Sequence, residues 1–184
     1  MTSRRTASIP ALVLFVLSSI ASRAADEPQR EIAVDYSYVR GDASNGTGIN
    51  LHGGDVSVAL PVSGQLSLVG EVGANRAGNI SGTGLDATIS TFMVGPRLTP
   101  LPFGRFQPSC QFLVGAARAS GSAFSEIGNP IGFSVAPGVR LDYSLTTRIS
   151  LRLIEADYHF STYPQNVNDH EKSVRLGAGI VARF

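Results

Sequence analysis

The stretch Lys172-Ser-Val-Arg-Leu-Gly-Ala-Gly-Ile-Val-Ala-Arg-Phe184 alternates residue by residue. Val174, Leu176, Ala178, Ile180, Ala182 and Phe184 share one face, while Ser173, Arg175, Gly177, Gly179, Val181 and Arg183 share the other. An apolar face set against arginines and glycines, closing on an aromatic residue, is how a strand of a transmembrane barrel reads. A half-buried strand of a soluble protein has the same period, so the rest of the chain must separate water from lipid.

The N-terminus bears on this. Residues 1–24 carry Arg4 and Arg5, then an apolar run from Ile9 to Ile20, then Ser22-Arg23-Ala24. That is the layout of a cleavable secretory signal, with cleavage expected after Ala24, and the run is too short to span a bilayer as a helix. No later stretch approaches the roughly 20 consecutive apolar residues of a membrane helix. Residues 25–30 read as a lead-in and 31–184 as one domain. The 20 glycines and 10 prolines argue against long helices. Cys110 is the single cysteine, so no internal disulfide holds an exported chain. A formal charge of +1 gives no sign of a nucleic-acid partner.

Read with period two, residues 31–184 resolve into eight strands, at about 31–40, 49–61, 65–74, 85–98, 105–118, 131–143, 149–160 and 172–184. In the sixth, Ile131, Phe133, Val135, Val139, Leu141 and Tyr143 oppose Gly132, Ser134, Ala136, Gly138, Arg140 and Asp142. In the seventh the phase slips at Leu153-Ile154, which predicts a β-bulge. Connectors alternate: 62–64, 99–104 and 144–147 are tight, whereas 41–48, 75–84, 119–130 and 161–171 are longer and richer in Asn, Gly and Ser. Short periplasmic turns alternating with longer outer loops, on an even number of strands, predict an all-β, eight-stranded, antiparallel up-and-down transmembrane barrel.

Which face meets lipid follows from the charges. A face crowded with Glu71, Arg140, Asp142, Arg152, Glu155, Asp157 and Arg175 makes a poor apolar pocket and a good polar lumen. A closed barrel also pairs every backbone group at bilayer depth. Aromatic girdles are expected from Tyr36, Tyr38, Tyr158 and Phe160 at one rim and from Phe103, Phe106, Tyr143 and Phe184 at the other.

The segments Phe92-Met-Val-Gly-Pro-Arg97 with Phe106-Gln-Pro-Ser-Cys-Gln-Phe-Leu-Val-Gly115, and Val139-Arg-Leu-Asp-Tyr143 with Ile149-Ser-Leu-Arg-Leu-Ile-Glu-Ala-Asp-Tyr158, resemble small outer-membrane β-barrel proteins with an OmpA-like transmembrane domain. The last strand resembles the C-terminal signal read by the barrel-assembly machinery, with Gly179 and Phe184 at matching positions and Ala182 departing where an aromatic is favoured. The resemblance implies an integral protein of the bacterial outer membrane, in contact with its lipid and assembled from the periplasm. No peptidoglycan-binding domain is expected after Phe184.

An eight-stranded barrel leaves a bore that side chains can fill. Inward positives are Arg97, Arg140, Arg152, Arg175 and Arg183; inward negatives are Asp35, Asp55, Glu71, Asp142, Glu155 and Asp157. Their near balance predicts paired charges across the bore, centred on Arg140, Arg152 and Arg175 with Glu71, Glu155 and Asp157. The expected role is structural, with a narrow or gated pore as the alternative. Binding through the outer loops and lipid modification by a Ser-His site rank below both. His159 and Ser161 share a face, but no orienting acid or metal-ligand spacing accompanies them or His170 and His52. No catalytic residue, metal or cofactor is expected, and the chain is expected to be a monomer.

Overall fold

The computed structural model describes residues 29–42, 48–78, 85–122, 130–162 and 170–184. Eight strands follow in chain order: β1 (Glu31–Asp42), β2 (Gly48–Ser63), β3 (Leu66–Ala77), β4 (Ala87–Leu98), β5 (Phe106–Ser120), β6 (Ile131–Ser144), β7 (Ile149–Thr162) and β8 (His170–Arg183). Each pairs antiparallel with its sequence neighbours, and β1 pairs with β8 to close the barrel. The seam is finished by reciprocal backbone bonds between Arg30 and Phe184, both 3.0 Å. No helix among the described residues is long and apolar enough to cross a membrane. Residues 1–24, and all but 29–30 of the lead-in, lie outside the described residues.

Strand limits shift slightly from the sequence expectation. β1 continues to Asp42, β3 ends at Ala77, β4 begins at Ala87 and β8 begins at His170. The cause is the backbone ladder, which carries β1 and β3 on through Asp42↔Gly48 and Ala77↔Ala87 after the side-chain alternation has become polar, and which starts β4 only at Ala87.

One end of the barrel, the turn end, gathers Arg30, Phe184 and the short connections at 64–65, 99–105 and 145–148. Gly64 and Gly104 sit there at φ 46° and 63°, values a side chain rarely tolerates. In the last of these turns Thr146 Oγ1 accepts from the amides of Arg148 and Ile149, at 3.2 and 3.0 Å. The opposite, loop end carries the longer connections.

Side chains sort as the alternation requires. Val34, Phe92, Val139, Ile180 and Phe184 are 57–64% exposed on the outside. Arg140, Arg152, Arg175, Glu71 and Glu155 are no more than 3% exposed in the bore. The bore is not polar throughout, however. Ala59, Val69, Met93, Leu113 and Ala136 form an apolar cluster inside it, and Val39, Leu51 and Ala77 form another toward the loop end.

The bulge falls where the phase slip placed it. Leu153 and Ile154 are both exposed, and the register against β8 jumps between Arg152 and Glu155. Residues three apart on a regular strand face opposite ways; here the extra residue puts both Arg152 and Glu155 inside. Deleting Ile154 alone leaves Arg152 and Glu155 two apart and still on one face, whereas deleting Leu153 and Ile154 together makes them adjacent, and is expected to turn one charge toward lipid and abolish folding. The readout is the heat-modifiable mobility of refolded protein on a denaturing gel: Leu153→Ala and the single Ile154 deletion should keep the folded band, and the double deletion of Leu153 and Ile154 should lose it.

Candidate functional site

The bore holds a continuous set of ion pairs. Glu155 on β7 is its centre, because it accepts from three arginines: Arg140 Nη2 at 2.7 Å, Arg175 Nη2 at 2.9 Å and Arg152 Nη1 at 3.1 Å. Glu71 on β3 stands on the opposite side of the barrel from β7. It bridges the same two cations, accepting from Arg140 Nη2 at 2.7 Å and from Arg175 Nη2 at 2.5 Å. The network therefore crosses the full width of the bore.

Neighbouring carboxylates extend it. Asp157 accepts from Arg175 Nε at 3.1 Å and Nη2 at 2.8 Å, and from Gln111 Nε2 at 3.0 Å. Arg152 donates from Nη1 to Asp35 at 2.6 Å and from Nε to Asp142 at 3.0 Å. Gln111 also accepts from Arg140 Nη1. Toward the turn end a second group forms around Glu31, which accepts from Arg97 at 3.0 Å and from Arg183 at 2.8 Å. Arg183 is further held by Ser150 and by Asp142 at 3.5 Å. Each arginine donates in several directions at once, the geometry a planar guanidinium serves and an ammonium does not.

Two glycines make room for these groups. A Cβ on Gly138 would overlap Asp157 Oδ1, and one on Gly179 would overlap Asp35 Oδ1 and the carbonyl of Val34. Gly179 thus has a packing reason to be glycine in the folded barrel.

Of the bore residues named from sequence, the structure brings Glu71, Arg140, Asp142, Arg152, Glu155, Asp157 and Arg175 into one set of contacts, while Arg97 belongs to the group at Glu31, which meets that set through Gln111 and Asp142 at 3.5 Å. Sequence reading missed Glu31 and Gln111 as members. Both lie on the inward phase of their strands, so the alternation contained the signal; the partner across the bore was what it lacked. Asp35, Asp55 and Glu155 also bring carboxylate oxygens within 4.8 Å of one another. Arg152 and Arg140 already hold Asp35 and Glu155, so this is a charge knot rather than a cation cage.

The girdle residues lie on the outer face. Phe106 and Tyr143 meet edge to face at 5.2 Å near the turn end, and Tyr158 and Phe160 do so at 4.4 Å toward the loop end. Tyr36 and Tyr38 flank His52; their hydroxyls bond His52 Nδ1 at 2.7 Å and Asn50 Oδ1 at 2.8 Å. Phe184 is 63% exposed at the seam.

The Ser-His arrangement does not assemble into a nucleophile and base. Ser161 Oγ donates to Ser134 Oγ at 3.0 Å, and buried His159 Nε2 has no hydrogen-bond partner among the described residues. Both line a small cavity of about 30 Å³ above Arg175, with Val39, Asn75, Ile89 and Thr91. That volume suits one or two water molecules, not a lipid. The side chain of His170 lies outside the described residues.

A closed eight-stranded barrel of this kind has counterparts among solved structures. Neisserial surface protein A superposes with a TM-score of 0.67 at 14% identity, covering 84% of this chain and 97% of that one. This chain has the fold of small outer-membrane β-barrels. Ail of Yersinia pestis, in complex with the heparin analogue sucrose octasulfate, gives 0.60 at 18% identity over 86% of this chain and 100% of its own. OprG of Pseudomonas aeruginosa gives 0.59 at 10% over 88% and 98%. No protein-family model matches the sequence, and no curated protein is significantly similar to it. The barrel fold, with its apolar wall and ionic bore, locates the protein in a bacterial outer membrane.

Removing one member of a buried ion pair costs roughly 3–5 kcal/mol because its partners stay charged and desolvated. Glu155→Gln removes the one carboxylate that three arginines share and is expected to lower the unfolding free energy of the vesicle-embedded barrel by about that amount. Urea titration of refolded protein measures it, and a loss below about 1 kcal/mol would show that Glu155 is not the keystone.

Proposed function

We propose that the protein is a structural component of the outer membrane, a barrel whose bore is closed by arginine-carboxylate pairs and whose contribution is to the integrity of the envelope. The observation that carries this reading is the position of Glu155. It is 1% exposed and bonded by arginines from β6, β7 and β8, while Glu71 ties two of them to the far wall. A hydrated ion moving along the barrel axis would have to break several charge-assisted bonds at once. The apolar cluster of Val69, Met93 and Leu113 also fills the bore, with Met93 in register with Glu71.

In this reading the turn end faces the periplasm and the loop end faces outward. The aromatic pairs Phe106-Tyr143 and Tyr158-Phe160 serve as interfacial girdles. Gly179 and Phe184 serve the assembly machinery during insertion. The reading assigns no catalysis: among the described residues Ser161 Oγ donates to Ser134 Oγ and meets no base. The outer-membrane relatives in fold include surface, attachment and invasion proteins, yet their low identity carries none of those roles to this chain.

Planar-bilayer recording of the purified barrel tests the closed bore. Traces indistinguishable from a lipid-only control are expected for the wild type, with Glu71→Ala/Glu155→Ala showing unitary steps if it folds. Stable unitary conductance from the wild type would instead support a narrow or gated pore.

A further inference from the structure

The outward-facing wall carries very few charges, and their placement is uneven. Among the described side chains, Arg40, Arg76, Arg118 and Lys172 project outward from strands, all toward the loop end, and no carboxylate projects outward from a strand. Arg76 is paired with Asp86 at 2.7 Å. Arg40 and Lys172 form no ion pair with any described side chain. They are nevertheless neighbours: Arg40 on β1 is in register with Val174 on β8, and Val174 with Tyr158 on β7, while Lys172 lies next outward on β8. Together Arg40, Lys172, Tyr158, Ser173 and Val174 line an open cleft of about 170 Å³ on the outside of the barrel.

We propose that this cleft binds the phosphate of an outer-leaflet lipid headgroup. On the turn-end side of the cleft, Leu176, Ala178 and Ile180 continue the apolar wall where acyl chains lie. Long cationic side chains at such a boundary extend their heads out of hydrocarbon toward the headgroups. A phosphate there meets a planar guanidinium that can give it two parallel bonds and an ammonium that adds a compact second charge. Tyr158, packed edge to face on Phe160, supplies a ring at the junction of headgroup and chain, where an amphipathic aromatic is favoured. Two cations with no counterion among the described side chains, beside an apolar floor, fit a phosphorylated amphiphile better than a soluble anion, because only the amphiphile satisfies floor and rim together.

The site presupposes the bilayer reading above, and native mass spectrometry of detergent-refolded barrel separates the two. The probes are bisphosphorylated lipid A, the same lipid dephosphorylated, and inorganic phosphate alone. Wild type is expected to retain the phosphorylated lipid. Arg40→Ala/Lys172→Ala should bind it at least about tenfold more weakly, a loss of about 1.4 kcal/mol. Arg40→Lys/Lys172→Arg should keep most of the binding. Arg105→Ala/Arg148→Ala, at the turn end, should leave it unchanged. The dephosphorylated lipid should bind as weakly to wild type as the phosphorylated lipid does to the double alanine variant. Equal binding by wild type and the double alanine variant, equal retention of both lipids, or retention of inorganic phosphate as tight as that of the lipid would each overturn the site. Failure of the wild-type barrel to refold in detergent would overturn the bilayer reading itself.

Discussion

Inside a wall surrounded by hydrocarbon, every ionised side chain must turn to the bore, and once there it must meet its opposite. Glu155 is where this constraint concentrates. Arginines from β6, β7 and β8 converge on it, and Glu71 reaches two of them from the opposite wall. Remove the central carboxylate and three cations lose their common partner in a space from which water is largely excluded. Strand order, closure and the direction of each side chain must all be right before this set of contacts can form. The network is therefore a consequence of the fold and also a condition on it.

Several backbone devices exist to serve that arrangement. The bulge at Leu153-Ile154 lets one strand deliver both Arg152 and Glu155 to the same side. Gly138 and Gly179 withdraw their own side chains so that Asp157 and Asp35 can stand where they do. The turn-end connections hold the register through Gly64 and Gly104, whose positive φ values allow the chain to reverse tightly. A bulge and scattered glycines would weaken an ordinary sheet; in a barrel this narrow they are what allows large charged groups inside.

Much of this was legible in the sequence because the strand period is two and a single phase error would invert every side chain. The alternation in Lys172–Phe184, the slip at Leu153-Ile154 and the alternating connector lengths all have direct counterparts in the structure. Partner choice across the bore was harder, because it depends on diameter and stagger, which no local pattern encodes. Glu31 shows this: its phase marks it as inward, but that it gathers Arg97 from β4 and Arg183 from β8 follows only from closure. The apolar part of the bore was likewise underestimated. Met93 and Leu113 share the inward phase with Arg97 and Gln111, which marked the bore side, but no local pattern showed that these apolar groups would meet as a cluster across it.

The placement of charge and grease on opposite sides of the wall underlies both the closed bore and the basic cleft at its rim, and the chain's one cysteine offers a direct probe of it. Cys110 projects outward from β5 beside Leu98 and Val139. A small fluorophore on Cys110, in barrels refolded into vesicles, can be exposed in turn to lipids with brominated acyl chains and to iodide in the water. Strong quenching by the brominated chains with little by iodide is expected. Efficient quenching by iodide with none from the acyl chains would contradict a lipid-facing apolar wall.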